Sequence, residues 1–335
     1  MNVPWRYLLG LTLGFVVGVI VFVGLLYTQL GVPTLSTQWL FDITNKKTLY
    51  AAKFTGPRLF IVAGSSALFG INAQLIQQQT GLPTINMGTS AGYPLDYRLD
   101  CLKKIVRPGD TLLLAFEYES YTNQLINYSD AGDDYLLAHA PEYFLQTSLL
   151  YKIEMATRIP FKRLQKGWRN RETPERERPP GRPYIPYLPI TPGIDCLNDN
   201  GDEVFNMAAT RRPPGLEMQH VSSVLLDGLP SENTDGFETI DSFLQWAATH
   251  QITVWATFPN IINDPAYDGP NGQKAIETIT HFYTSRGVPI IGTAKEAMLP
   301  YDQFFDTNYH LTHEAAIKRT ERLIPELEPY LHATK

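Results

Sequence analysis

Ser66, Asp306 and His310 are the residues whose types and order suit nucleophilic catalysis. Ser66 closes the tripeptide Gly64-Ser65-Ser66, and the other two stand four residues apart in Phe304-Phe305-Asp306-Thr307-Asn308-Tyr309-His310-Leu311. A serine hydroxyl attacks a carbonyl effectively only once a base takes its proton, and an imidazole serves best when a carboxylate holds its tautomer and orientation. The spacing places Asp306 and His310 on one face if that stretch forms a helical turn. Such a set performs acyl transfer through a covalent serine ester.

The elements around these residues must bring them together. Leu59 to Ala63 is an apolar run that reads as a buried strand, and Gly64-Ser65-Ser66 then turns the chain from strand to helix. Ligands of open α/β sheets bind outside the carboxyl ends of the strands, which displays a serine at this turn. Small polar residues also suit any strand-to-helix turn, so the tripeptide by itself has a structural reading as well.

Together the two blocks resemble those of the SGNH hydrolase family, and more closely its membrane-anchored branch, which includes the D-alanyl transfer protein of teichoic acids and the alginate acetylation proteins. The family's first block, Gly-Asp-Ser, ends in the nucleophile, so the resemblance implies that role for Ser66, with Ser65 where the aspartate usually stands. Its second block carries a glycine whose backbone N–H serves the oxyanion hole. Asn86-Met87-Gly88 is similar and puts Gly88 there, alongside the N–H of Ser66. The last block is usually Asp-x-x-His, whereas here it is Asp306-x-x-x-His310, with Tyr309 at the usual imidazole position. The resemblance selects His310 as base and Asp306 as its orienting acid. In place of the third block, Gly-x-Asn-Asp, stands Phe116-Glu117-Tyr118-Glu119, and Asn260, at a later strand end, is the candidate substitute for the absent amide donor. Glu117 and Glu119 are candidates to contact substrate or orient a side chain, with a solvated loop as the plain alternative. The implied fold is α/β, a doubly wound parallel sheet of about five strands with flanking helices.

Local patterns give the same class. Asn72 suits the N-cap of a helix over 73–80 that Gly81 ends, and Pro83 to Asn86 reads as a second strand. Leu95, Leu99, Leu102 and Ile105 recur at helical spacing, and Thr111 to Phe116 is a third strand. Phe237, Ile240, Phe243, Leu244 and Ala247 mark another helix, Ile252 to Phe258 a fourth strand, and Pro289 to Ile291 a fifth. Strands alternating with helices at this spacing imply a parallel sheet covered on both faces. Between them lie a polar loop after Phe116, a helix near 140 to 165, and the Arg-, Glu- and Pro-rich run Lys166 to Pro192, which cannot bury enough apolar surface to form a core. Cys196 to Asn206 reads as a hairpin. The expected organisation is an anchor over 1–33, a polar tether over 34–57, and one domain over 58–331 with an irregular insertion at about 120–232.

With 335 residues, 44% of them hydrophobic, the chain suffices for a large domain plus extras. A net charge of −6 argues against nucleic acid, which needs a concentrated basic face. The only cysteines, Cys101 and Cys196, lack zinc spacing, and the histidines show no HExxH pattern, so neither metal nor cofactor is expected. Whether the two thiols form a bridge stays open. Residues 7–30 carry no charge and are mostly Leu, Val, Phe and Gly, enough to cross a bilayer as a helix. No A-x-A-like cleavage site follows, so a retained signal anchor is expected. Arg6 on the near side puts the amino terminus in the cytoplasm and the main domain outside, in a periplasm or at a cell surface. Gly10, Gly14 and Gly18 fall on one helical face where a partner helix can approach closely.

Two functions follow. One is a membrane-anchored serine O-acyl esterase or acyltransferase acting on an acylated cell-surface glycan. The other is a non-catalytic accessory subunit of the same fold that docks a membrane partner; the resemblance supplies a multi-pass acyltransferase as that partner.

Overall fold

Alternation along the central strands sends side chains to two separate cores. In the computed structural model, β1 (Leu59–Val62), β2 (Thr84–Asn86), β3 (Thr111–Leu114), β4 (Thr253–Thr257) and β6 (Ile290–Ile291) form a parallel sheet in the order β2-β1-β3-β4-β6, while β5 (Ile261–Ile262) pairs in parallel with β7 (Met298–Leu299). The structure describes residues 5–122, 130–172, 194–211, 222–229 and 231–333. Phe60, Val62, Leu112 and Leu114 face one core, and Leu59, Ile61, Leu113 and Trp255 the other. Strands buried on both faces read as continuous apolar runs for this reason. The register Leu59↔Thr84 and Leu59↔Thr111 places β1 between β2 and β3, so the strand order reverses beside β1, the place where open α/β sheets take their ligands. At the opposite end of these strands Arg58 and Asp110 form a buried ion pair at 2.6 Å, and the guanidinium also donates to Ala51 O and Ile105 O. Such a pair is tolerable in the interior because its donors and acceptors are satisfied.

The described residues fall into two compact units, 1–38 with 129–185 and 39–128 with 186–335. Helix α1 (Trp5–Tyr27) is long and apolar enough to cross a membrane. Residues 34–57 are not the polar tether that their composition suggests, because α2 (Leu35–Ala52) occupies most of them. Leu40, Ile43, Lys47 and Ala51 are buried on one face of α2. The charge at Lys47 conceals that stripe from a hydropathy reading. In the sheet-bearing unit, α3 (Ser65–Gly70) and α4 (Ala73–Thr80) follow β1, with Asn72 accepting the Leu75 N–H at 2.7 Å and Gly81 ending α4 at φ 73°. Helix α5 (Leu95–Lys103) buries Leu95, Leu99 and Leu102.

The composition of residues 120–232 suggests an irregular insertion, but its described residues include α6 (Asp130–His139), α7 (Pro141–Gln146), α8 (Leu149–Arg158) and α9 (Phe161–Glu172), all in the unit that holds α1. They bury apolar side chains such as Leu136, Phe144 and Met155, and polar contacts join them. Arg163 pairs with Asp134 and donates to Gln29 Oε1 at 2.9 Å and Val32 O at 2.7 Å, and Asp133 accepts from Arg158 at 2.6 Å. Most of the Arg-, Glu- and Pro-rich run lies outside the described residues. The expected hairpin is present as a bridge between Leu197 and Glu203, and no disulfide joins Cys101 to Cys196. The sheet-bearing unit is completed by α10 (Ser223–Asp227), α11 (Asp235–Thr249), α12 (Pro270–Ser285), α13 (Ala294–Ala297) and α14 (His313–Ala333).

Candidate functional site

The turn after β1 is held by a carboxylate from the loop after β3. Glu117 accepts the Gly64 N–H at 3.0 Å through Oε2 and the Ser66 N–H at 2.9 Å through Oε1. A Cβ on Gly64 would crowd Glu117 Oε1 at 2.6 Å, so only glycine lets the carboxylate this close. Ser66 is 1% exposed and its hydroxyl donates to Ala115 O at 3.3 Å. Ser65 is partly exposed, and its hydroxyl makes no hydrogen bond among the described residues.

His310 Nδ1 meets Asp306 Oδ1 at 2.7 Å. The two are not on a helical turn, as their spacing suggests; they sit on a tight loop that precedes α14. The loop is closed by a Phe304–Leu311 bridge and by the Phe305 N–H donating to His310 O at 2.7 Å, while the His310 N–H donates to Thr307 Oγ1 at 3.1 Å. The extra residue relative to Asp-x-x-His is absorbed in that loop. The imidazole lies flat on Phe69, with ring centroids 4.1 Å apart and planes at 13°. Phe69 is on α3, so the dyad packs against the helix whose first turn carries both serines. Among the described residues no hydrogen bond joins Ser66 to His310.

The residues expected to donate to an oxyanion all have internal partners. The Gly88 N–H donates to Asn86 Oδ1 at 3.0 Å, and Gly88 O accepts from Lys47 Nζ. Asn260 Nδ2 donates to Tyr309 O, and its Oδ1 accepts from Arg319 at 3.1 Å. Arg319 also binds Gly70 O at 3.0 Å and Phe258 O at 2.7 Å. Asn260 and Arg319 thus tie the end of α3 to the loop bearing His310. Tyr309, at the family's imidazole position, donates through its hydroxyl to Glu119 Oε2 at 2.8 Å.

Burial governs the titration of the surrounding groups. It lowers Lys47 to about 7, partly opposed by Asp202 and Glu203, and lowers Arg319 to about 10. It raises Glu203 to about 7 and raises Glu119 and Tyr309 as well. Lys47 and Arg319 belong to no motif. The one sequence signal for Lys47 is that a charge interrupts an otherwise apolar helix face. Among the described residues no cluster of three or more His, Cys, Asp or Glu side chains is placed to hold a metal ion. No family model, curated protein or solved structure matches this chain.

Proposed function

We propose that the chain is a membrane-anchored serine enzyme of the SGNH type that hydrolyses or transfers O-acyl groups on a cell-surface glycan or related acylated substrate. The observation that carries this reading is the packing of the Asp306–His310 dyad onto Phe69, which sets a carboxylate-oriented imidazole against the helix that begins with Ser65 and Ser66. In the reaction a hydroxyl of this turn, Ser66 by family position, attacks the acyl carbonyl while His310 takes its proton. His310 then returns the proton to the leaving alkoxide, and Asp306 holds the imidazole throughout. The N–H groups of Gly64 and Ser66, which hold the Glu117 carboxylate, are of the kind that stabilises an oxyanion. Transfer in place of hydrolysis requires that an acceptor hydroxyl take the place of water.

Helix α1 supplies the anchor in this reading, with the amino terminus cytoplasmic and the sheet-bearing unit outside. Gly10, Gly14 and Gly18 offer a face to a partner helix, such as one of a multi-pass acyltransferase. A second reading, a non-catalytic accessory subunit, draws on one observation: the backbone of Ser66 and Gly88 and the amide of Asn260 are all engaged internally. Turnover of an activated acyl ester by the full chain in detergent separates the two. The enzyme reading requires activity that His310→Ala and the double variant Ser65→Ala with Ser66→Ala both abolish without loss of folding; equal rates in all three would leave the accessory role.

A further inference from the structure

We propose that α8 and α9 lie in the headgroup region of the bilayer that α1 crosses, forming a second, interfacial contact with anionic lipid. The argument starts from where α9 is tied. At about 1.5 Å per residue, α1 is roughly as long as a bilayer's ~30 Å hydrocarbon core is thick, so the membrane boundary falls near Tyr27. Arg163 of α9 donates to Gln29 Oε1 and Val32 O, just past that point. A Cβ on Gly167 would collide with Gln29 Oε1, so the middle of α9 is pressed against the same residue. The exit of α1 therefore fixes the level of α9 at the boundary.

The side chains that α9 turns outward suit that level. Arg163, Leu164 and Gly167 face inward, and Phe161 and Trp168, two turns apart on one stripe, are 67% and 52% exposed. Lys162 and Lys166 are exposed beside them. Aromatic rings settle among headgroups with their apolar bodies toward the acyl chains, and lysines reach from there toward anionic phosphates. Helix α8 adds a second apolar surface. Tyr151 and Met155 are buried on its inner face, yet Leu149, at 73% exposure, and Leu150 and Ile153 stand on the outer one. An outward apolar stripe on α8 and a basic, aromatic one on α9 are each the composition of a helix lying in a membrane interface. A partner protein's helix would satisfy the leucines, but the lysines and the fixed level at the end of α1 favour lipid.

The test uses the full chain in nanodiscs containing anionic phosphatidylglycerol. Subtracting the fluorescence of Trp168→Phe isolates the Trp168 signal. This signal is expected to be blue-shifted and to be dimmed more by lipid brominated near the headgroup than by lipid brominated near the chain ends. The pair Lys162→Glu with Lys166→Glu, which keeps the tie to Gln29 and Val32 but reverses the attraction to anionic headgroups, is expected to weaken that dimming in anionic nanodiscs without abolishing it. A second reporter, Phe161→Trp in the Trp168→Phe background, is expected to behave alike. Emission at the water position that neither brominated lipid dims would overturn the proposal. So would a blue shift seen only in native membranes and without lipid quenching, which would assign the face to a protein.

Discussion

Glu117 holds the N–H of Ser66 at 2.9 Å, and the same carboxylate takes the N–H of Gly64. The two N–H groups of this turn are donors of the kind that a single oxyanion oxygen accepts from, and here each is taken by a different oxygen of the carboxylate. In the proposed reaction a side chain of the protein would compete with the substrate's oxyanion for those donors. Arg98, whose Nη2 lies 3.4 Å from Ser120 Oγ, runs along the same loop and interacts electrostatically with Glu117.

Glu117→Ala tests that competition. Freeing the donors is expected to raise the initial rate with a small activated ester, by about tenfold if displacing the carboxylate costs ~1.4 kcal/mol. The melting temperature is expected to fall, since two buried N–H groups lose their acceptor. Initial rates and thermal melts on the same preparation check both. A rate that falls with the melt would mean that the carboxylate only organises the turn.

Gly70→Ala probes how the imidazole loop is braced. A Cβ there would collide with Asn260 Oδ1, whose carboxamide also holds Arg319 and Tyr309 O. Side-chain insertion into a packed site typically costs ~1–3 kcal/mol. Asn260 has to yield, and the loop carrying Asp306 and His310 shifts with it. The expected result is a lower melting temperature together with a loss of ester turnover larger than the fraction unfolded explains. Far-ultraviolet circular dichroism and rate measurements at one temperature distinguish the two effects.

How much of this arrangement the sequence discloses depends on which interactions leave a periodic trace. The buried run Leu59–Val62, the Asn72 cap, the Gly81 stop and the stripe from Phe237 to Ala247 are local patterns, and each corresponds to an element. Helix α2 escapes because Lys47 sits on its inner face and binds a carbonyl far away in sequence. The bracing roles of Asn260 and Arg319 escape for the same reason: a buried polar knot is made of single residues with no spacing to reveal them. Asp306 and His310 stand out by type, but their meeting depends on a loop closure that a helical reading of the spacing misses.

Lys47 and Glu203 together predict a particular dependence of stability on pH. Burial raises Glu203 from its ordinary 4.5 to about 7, so between those values the folded chain holds a proton that the unfolded chain has released. This contribution to stability is lost as pH rises through about 7. Burial lowers Lys47 from 10.5 to about 7, so above 7 the unfolded chain binds the extra proton and stability recovers toward pH 10.5. The two contributions place a shallow minimum near neutrality. Melting curves in detergent from pH 5 to 9 check this, and Glu203→Gln is expected to flatten the acid side and, because the Glu203 charge holds Lys47 up, to start the alkaline recovery at a lower pH.

In the proposed reaction, the hydroxyl that attacks depends on the faces of α3. Ser66 points inward to Ala115 O, whereas Ser65 is partly exposed and four residues before Phe69, the residue on which His310 lies. Residues four apart share a helix face, so the spacing puts Ser65 on the face of α3 that carries Phe69. Ser66 reaches that side only by rotating away from Ala115 O, a move that loss of the Glu117 bond to its own N–H would ease. A fluorophosphonate forms a stable ester with an activated serine, and fragmentation of the modified peptide distinguishes adjacent positions. The resting geometry predicts the adduct on Ser65 in the unsubstituted chain, and it predicts that Ser66→Ala still labels. An adduct on Ser66 would show instead that the turn rearranges before attack. In that case Glu117→Ala should speed labelling at Ser66, because the carboxylate that holds its backbone has gone.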